Sequence, residues 1–346
     1  MSTTSTTSLK AVLISGATGR QGHAAIAHLS KNNHFRILAL TRNADSSSAR
    51  ELETDFPSIE IVEGDLNNPD SIRRIFDDEK EKEGTGIWGV FNVMAYPGLG
   101  VDATGEERAG KAIAIIAHEY AVSCFVYSSS ERAGELYDDG APPGSSYRAK
   151  VEIEKHLKEL GNKGLNWTIL RPVLFYENYI GQLGGTTFEV FKAGVKADTP
   201  VQLVAVNDIG RIIAGIFQDP EPYKHQILVP LSGNLTFAQQ EEIFKEATGR
   251  SINNVPWPLS SLSGKGILKI NRHTREMVEG RQKISDTIAE GKVPEFQSQV
   301  DLAKKALGPD AQWTSFEEWA RKTKEDEKRA KNWNGISLSG ILSGRS

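Results

Sequence analysis

The segment that most constrains this chain lies between residues 10 and 22. Lys10-Ala-Val-Leu-Ile-Ser15 is short, apolar and closed by Gly16, which suits a parallel strand buried on both faces better than a helix. Gly16-Ala17-Thr18-Gly19-Arg20-Gln21-Gly22 follows, and His23 to Lys31 then carries Ala, Ile and Leu at helical spacing. Strand, glycine turn and helix in that order belong to a βαβ unit. Further strand-like runs at Phe35–Leu40, Ile59–Glu63, Trp88–Met94, Cys124–Ser128 and Trp167–Leu170, mostly separated by helical segments, extend it. The fold class predicted is α/β: a doubly wound parallel sheet whose crossovers are right-handed.

Past Pro172 the alternation breaks up. A strand at Val201–Val206, a helix at Asp208–Phe217 and a strand at Gln226–Val229 remain, with Asp208 read as the cap of a helix beginning at Ile209. Thr236-Phe237-Ala238-Gln239 reads as a capping box whose helix stops near Gly249, and Thr314-Ser315-Phe316-Glu317 opens another. This predicts a smaller C-terminal α+β lobe. The expected division is a loose arm at 1–8, a dinucleotide-binding domain at 9–171, the smaller lobe at 172–330 with some elements returning to the sheet, and a frayed tail at 331–346.

Composition removes several function classes. With 41 basic and 45 acidic side chains the net charge is −4, so no basic field exists to attract nucleic-acid phosphate. No stretch approaches the roughly eighteen apolar residues of a membrane helix. The single cysteine, Cys124, forms no internal disulfide, and within a strand it reads as a small core residue. Seven scattered histidines show no metal-ligand spacing, so no metal site is expected. Residues 1–8 lack the basic and apolar regions of a secretory signal. A reducing, cytoplasmic location is expected, with the nucleus also open.

Glycines 16, 19 and 22 meet one physical need: backbone must approach a pyrophosphate closely, and side chains would block it. The helix starting near Arg20 turns its positive end toward the anion. Gly16, Thr18, Gly19, Arg20, Gln21 and Gly22 are therefore the candidate phosphate cradle. After the second strand stands Thr41-Arg42-Asn43, where an NAD-selective chain usually places an acidic residue for the ribose 2′-hydroxyl. A guanidinium there suits a 2′-phosphate, so Arg42, with Arg20 as a second cation, predicts NADP(H) in preference to NAD(H). A solvated surface arginine is the alternative. Asp65-Leu66, after the third strand, is placed to meet adenine, or Asp65 simply caps the next turn.

The glycine loop, Leu40-Thr41-Arg42-Asn43, Gly64-Asp65-Leu66, Leu170-Arg171-Pro172-Val173-Leu174-Phe175-Tyr176-Glu177-Asn178 and Val206-Asn207-Asp208-Ile209-Gly210 together resemble the NmrA-like family, atypical short-chain dehydrogenase/reductases with an NAD(P)-binding Rossmann fold. The similarity runs from about Leu9 to about Arg321. It implies that Lys150 lies near the nicotinamide ribose, that Asn92 and Val93 line the floor, that Pro172 to Phe175, including Phe175 itself, contact the nicotinamide, and that Tyr176 and Asn178 face the cleft. For Phe175 and Tyr176, aromatic core packing is the competing reading. The family contains reductases and also redox-sensing regulators that turn nothing over.

A typical member of the wider superfamily has Tyr-x-x-x-Lys, in which lysine lowers the tyrosine pKa for proton exchange with substrate. Here the order is Ser145-Ser146-Tyr147-Arg148-Ala149-Lys150, so Tyr147 precedes Lys150 by three residues, about 100° around a helix from the usual place. Tyr147 and Lys150 are the catalytic candidates, and Lys150 could instead be a solvated partner of Glu154 at i, i+4. One of Ser128, Ser129 and Ser130, at the carboxyl end of the fifth strand, is a candidate for the substrate oxygen, or all three cap strand-end carbonyls. Two functions follow as expectations: an NADP(H)-dependent oxidoreductase acting on a small carbonyl or unsaturated compound, or a silent dinucleotide sensor acting through a protein partner. The oligomeric state stays open.

Overall fold

Lys10–Ile14 forms β1, and its side chains divide between two layers: Val12 and Ile14 enter one hydrophobic core, Ala11 and Leu13 the other. A strand with apolar residues on both faces must be covered on both, and this one is. The computed structural model describes residues 9–31, 34–83, 86–98, 100–181, 184–252 and 259–329, so the arm and the tail expected from the sequence lie outside the described residues.

From β1 the chain alternates α1 (Arg20–Leu29), β2 (Phe35–Thr41), α2 (Ser47–Asp55), β3 (Glu60–Glu63), α3 (Pro69–Glu83), β4 (Ile87–Val93), α4 (Thr104–Glu119), β5 (Cys124–Ser128), α5 (Ser146–Gly161) and β6 (Trp167–Leu170). After β7 (Leu174–Phe175), a 3₁₀ turn at Tyr176–Tyr179 and α6 (Gly184–Gly194) come β8 (Val201–Val204), α7 (Val206–Gln218), β9 (Gln226–Leu228) and β10 (Gly233–Leu235). Helices α8 (Phe237–Thr248), α9 (Leu259–Ile270), α10 (Arg272–Ala289), α11 (Phe296–Leu307) and α12 (Phe316–Arg329) complete the described chain.

The large sheet has the order β3-β2-β1-β4-β5-β6-β9, all parallel, and the strand order reverses beside β1. That reversal opens a crevice at the carboxyl ends of β1 and β4, where ligands of such sheets bind. A second sheet, β10-β8-β7, underlies the smaller lobe. Strand β9 extends the large sheet beside β6, and α7 lies between α1 and α11. These contacts are close because they are made by glycine. A Cβ on Gly210 would stand 2.3 Å from the Ala24 carbonyl oxygen of α1, and one on Gly215 would stand 1.9 Å from that of Ala306 in α11.

Two local expectations need correcting. Helix α7 begins at Val206, with Ala205 as its cap residue, so Asp208 sits inside the first turn and caps nothing there. Glu177 accepts the Val206 amide at 3.0 Å, while Asp208, fully buried, accepts the amide and hydroxyl of Thr314 at 2.8 Å each and an Arg211 N–H at 3.1 Å. With Thr314 so engaged, the second capping box moves along by one residue: the Glu318 amide donates to Ser315 Oγ and the Ser315 amide to Glu318 Oε2, at 3.1 and 2.9 Å. The Thr236/Gln239 box forms as expected, and Gly249 ends α8 in the left-handed conformation at φ 72°.

Candidate functional site

The turn between β1 and α1 is built for close approach. Gly16 takes φ 58°, and a Cβ there would meet Val93 Cγ1 and the Val93 carbonyl oxygen at 2.9 Å. At Gly22 the added carbon would stand 2.3 Å from the Gly16 carbonyl oxygen and 2.7 Å from Ala17 Cα. No side chain caps α1, whose cap residue is Gly19. First-turn amides with no side-chain acceptor, at the positive end of a helix, could hold an anion such as a diphosphate.

The neighbouring strand ends are tied to this turn, in part by Ser15, which the sequence did not single out. Ser15, fully buried, has its Oγ 2.9 Å from Asn92 Oδ1 and accepts the Val93 amide at 2.9 Å, locking the carboxyl end of β1 to that of β4. Asn92 itself is fully buried, and its Nδ2 has no hydrogen-bond partner among the described residues. Such a group costs about 1–3 kcal/mol unless something at the site accepts from it. Gln21 reaches the other way: its Oε1 accepts from Ser128 Oγ at 2.7 Å, spanning from the glycine turn to β5.

The arginines separate. Arg20 donates to Asn178 Oδ1 at 3.1 Å, joining the glycine turn to the segment after β7, and burial lowers its pKa against the opposing field of Glu177. Arg42 is exposed just past β2. Asp65 Oδ1 accepts the Asn67 amide at 2.9 Å, so its carboxylate closes the turn after β3, beside a half-buried Leu66.

On the other side of the crevice, Lys150 donates to Glu106 Oε1 in α4 at 2.6 Å, and Ser146 donates to the second oxygen at 2.7 Å. The lysine is therefore not a partner of Glu154. Tyr147 points elsewhere, with its hydroxyl 3.5 Å from Asp138 Oδ1; burial, then the Asp138 charge, raise its pKa to about 12. Tyr147 and Lys150 thus engage different acidic partners. Desolvation, and after it the charge of Glu106, push the phenol of Tyr96, in the loop after β4, up to about 12. Of the three serines, Ser128 is taken by Gln21, whereas Ser129 Oγ is buried without a partner. Alternation along β5 puts Ser129 on the face of Tyr127, the face covered by α4 and α5.

A charged cluster fixes the loop after β5. Arg132 forks onto Asp138 at 2.7 and 3.0 Å and onto Glu154 at 2.6 and 2.9 Å, and Arg171 reaches Glu154 at 2.6 Å. Burial opposes ionisation of Glu154, but the two guanidiniums outweigh it and hold the carboxyl at about 2. Arg171 thus braces β6 against α5, and Pro172, buried, follows it, its carbonyl accepting the Glu131 amide at 3.0 Å. Tyr176 is fully buried against Phe316 and Trp319, with ring centroids 5.0 and 5.4 Å away, so it serves the core of the smaller lobe; Phe175 is half-buried. Cys124 is buried in β5, and desolvation raises its thiol to about 12, which leaves it unreactive. Among the described residues no group of three or more His, Cys, Asp and Glu side chains could hold a metal, and no helix is long and apolar enough to cross a membrane.

An NmrA-like oxidoreductase of Aspergillus campestris, cpsB, is 26% identical over 336 residues, 90% of this chain and 96% of its own. FrzB of a Cladobotryum species, named as an oxidoreductase of the same kind, is 27% identical over 71% of this chain and 75% of its own. Among solved structures, NmrA, a negative transcriptional regulator in complex with NADP, superposes with a TM-score of 0.63 at 20% identity, covering 94% of this chain and 99% of its own. The same regulator is also known with NAD. The NADP(H) complex of Citrobacter triphenylmethane reductase gives a TM-score of 0.61 at 18% identity, over 91% and 99% of the two chains. The sequence profile of the NmrA-like family matches residues 8–320, and the chain belongs to that family.

Proposed function

We propose that this protein is an NADP(H)-dependent oxidoreductase that reduces a small organic carbonyl or unsaturated compound. The observation that carries this reading is the turn at Gly16–Gly22: a side chain at Gly22 would strike its backbone at the Gly16 carbonyl and force it out of shape, and no side chain caps the helix behind it. The oxidoreductases among its relatives support the same reading, as does binding of NADP by structural neighbours.

When bound, NADPH supplies a hydride to an electrophilic carbon of the substrate. The chain's own residues do the rest. Gly16, Thr18, Gly19 and Gly22 seat the diphosphate; Arg42, exposed beside the end of β2, meets the 2′-phosphate; Asp65 and Leu66 border the adenine; Asn92 and Val93 form the floor; Pro172 and Phe175 back the nicotinamide. Lys150, held by Glu106, orients the ribose. Ser129, whose hydroxyl is buried without a partner, hydrogen-bonds the substrate oxygen, and the proton reaches it from Tyr147, a serine hydroxyl or water. The protein acts without direct nucleic-acid contact, in the cytoplasm.

The test is calorimetry with NAD, NADP, NADH and NADPH on the wild type and on Arg42→Ala. Arg42→Ala is expected to weaken the phosphorylated pair by about tenfold or more and to leave NAD and NADH unchanged, since a charge-assisted pair is lost only there. An unchanged preference removes Arg42 from the site. A second reading, a silent sensor, rests on Tyr147 being engaged by Asp138 rather than set beside Lys150. It requires oxidised and reduced cofactor to differ in affinity or in their effect on a protein partner. Equal binding of NADP and NADPH, with no partner retained under either, removes it.

A further inference from the structure

The two arginines offered to the nucleotide stand on opposite sides of α1. Helix α7 packs between α1 and α11, and α11 packs on β9, the edge strand of the large sheet farthest from β2. The side of α1 that faces α7 is therefore the side away from β2 and from Arg42, which is exposed just past that strand. The 3₁₀ turn at Tyr176–Tyr179 is fastened to α7: both oxygens of the Glu177 carboxylate accept the Val206 amide, at 3.0 and 3.1 Å. The next residue, Asn178, accepts from Arg20 Nη1 at 3.1 Å. Arg20 is thus drawn toward α7 and away from Arg42. Gln21 leans the same way, with its bond to Ser128 of β5.

Arg20 is also an ionic group left incomplete. It is the first residue of α1, directly after the cap residue Gly19, so its side chain leaves the backbone beside the amides that face the glycine turn. It is half-buried, and desolvation lowers its pKa. Among the described residues its guanidinium bonds one neutral oxygen and lies within ion-pair distance of no carboxylate. A guanidinium offers five N–H donors in a rigid fork, and a single bond to an amide oxygen leaves the others unused. A partly desolvated charge in that condition is stabilised by an anion. Asn178 suits such an arrangement because its oxygen fixes the fork while its neutrality leaves the positive charge undiminished. A carboxylate in its place would hold the arginine more tightly and cancel the charge.

We propose that Arg20 is the counter-ion of the cofactor's diphosphate, that Asn178 of the smaller lobe is its positioning residue, and that Arg20 takes no part in reading the 2′-phosphate. The seat is then completed by residues of both lobes. This deepens the reading of the glycine turn as a dinucleotide site and rests on it, and it holds whether or not the bound cofactor is turned over.

The experiment is calorimetric titration of the full chain with ADP-ribose, NADH and NADPH. ADP-ribose carries the diphosphate without the nicotinamide, and NADH and NADPH differ only in the 2′-phosphate. Arg20→Met is expected to weaken all three by about tenfold and to leave the ratio of NADPH to NADH affinity unchanged. Arg20→Lys, which keeps the charge without the fork, falls between the two and decides the matter should Arg20→Met fail to fold. Asn178→Ala is expected to weaken all three by about threefold in the wild type and to have no further effect in Arg20→Met, a non-additivity that a residue merely stiffening its own turn would not show. Asn178→Ser replaces it should the alanine variant fail to fold. Unchanged affinity in the Arg20 variants, a loss confined to NADPH, or an effect of Asn178→Ala that persists in Arg20→Met overturns the proposal. Absence of ADP-ribose binding in the wild type overturns the dinucleotide reading along with it, whereas tight binding of all three ligands by the wild type and by both Arg20 variants overturns this proposal alone.

Discussion

Lys150 Nζ lies 2.6 Å from Glu106 Oε1, and the Glu106 side chain is only 2% exposed while that of Lys150 is 17% exposed. The pair joins α5 to the first turn of α4, and Ser146 supplies the second carboxylate oxygen with its hydrogen bond. The lysine is therefore aimed by an acid 44 residues upstream, not by its own helix. Removing that acid leaves a partly buried ammonium without its partner. Glu106→Gln is expected to lower unfolding free energy by about 1–3 kcal/mol, less than for a fully buried pair because the lysine keeps contact with water. Urea denaturation measures this. NADPH affinity, followed by nucleotide fluorescence, should fall in parallel, whereas a Lys150 that only stabilised the helices would leave it unchanged.

Glu154 gives the pH dependence a definite sign. Its carboxyl is opposed by burial but held by Arg132 and Arg171 at about 2, below the ordinary value of 4.5. A depressed folded-state pKa contributes stability that is complete above pH 4.5 and is lost as the pH falls from there toward 2. Glu154→Gln is expected to be less stable than the wild type at neutral pH and to show a shallower decline in that window. The difference between the two stability curves, taken by urea titration at each pH, isolates this residue from the other carboxylates. Parallel curves would show that the two arginines do not hold it.

Gly22 is the sharpest probe of the cradle. Its alanine variant places a carbon 2.3 Å from the Gly16 carbonyl oxygen, which is backbone and cannot swing aside. Gly22→Ala should therefore displace the turn and weaken every dinucleotide, phosphorylated or not, by at least about tenfold. That pattern differs from Arg42→Ala, which acts on the phosphorylated pair only. Fluorescence titration with NADH and NADPH separates the two. Undiminished binding in Gly22→Ala would place the diphosphate elsewhere.

The parallel sheet was legible because its signals are local. Val12 and Ile14 on one face and Leu13 on the other announce a strand covered twice, and the glycines that follow announce the turn. The Thr236/Gln239 box was legible for the same reason: both partners lie within one helical turn. Asp208 shows where such reasoning fails. Its own surroundings in sequence suggest a cap, yet its partner is Thr314, 106 residues away, and that engagement in turn shifts the next capping box to Ser315. The same holds for Lys150, for which the sequence offered the acid at i+4 on its own helix as one partner, whereas the acid it meets, Glu106, is on α4.

By itself the sequence determined the βαβ order, the strand that must be buried on both faces and the backbone turn that leaves room for a diphosphate. Each depends on the size and polarity of residues a few positions apart. Only the tertiary structure decided which charges meet: Glu106 with Lys150, Glu154 with Arg132 and Arg171, and Asp138 with Arg132 and Tyr147. Electrostatic pairing depends on distance through space and on exclusion of water, and both are fixed only when the elements that carry these side chains pack together.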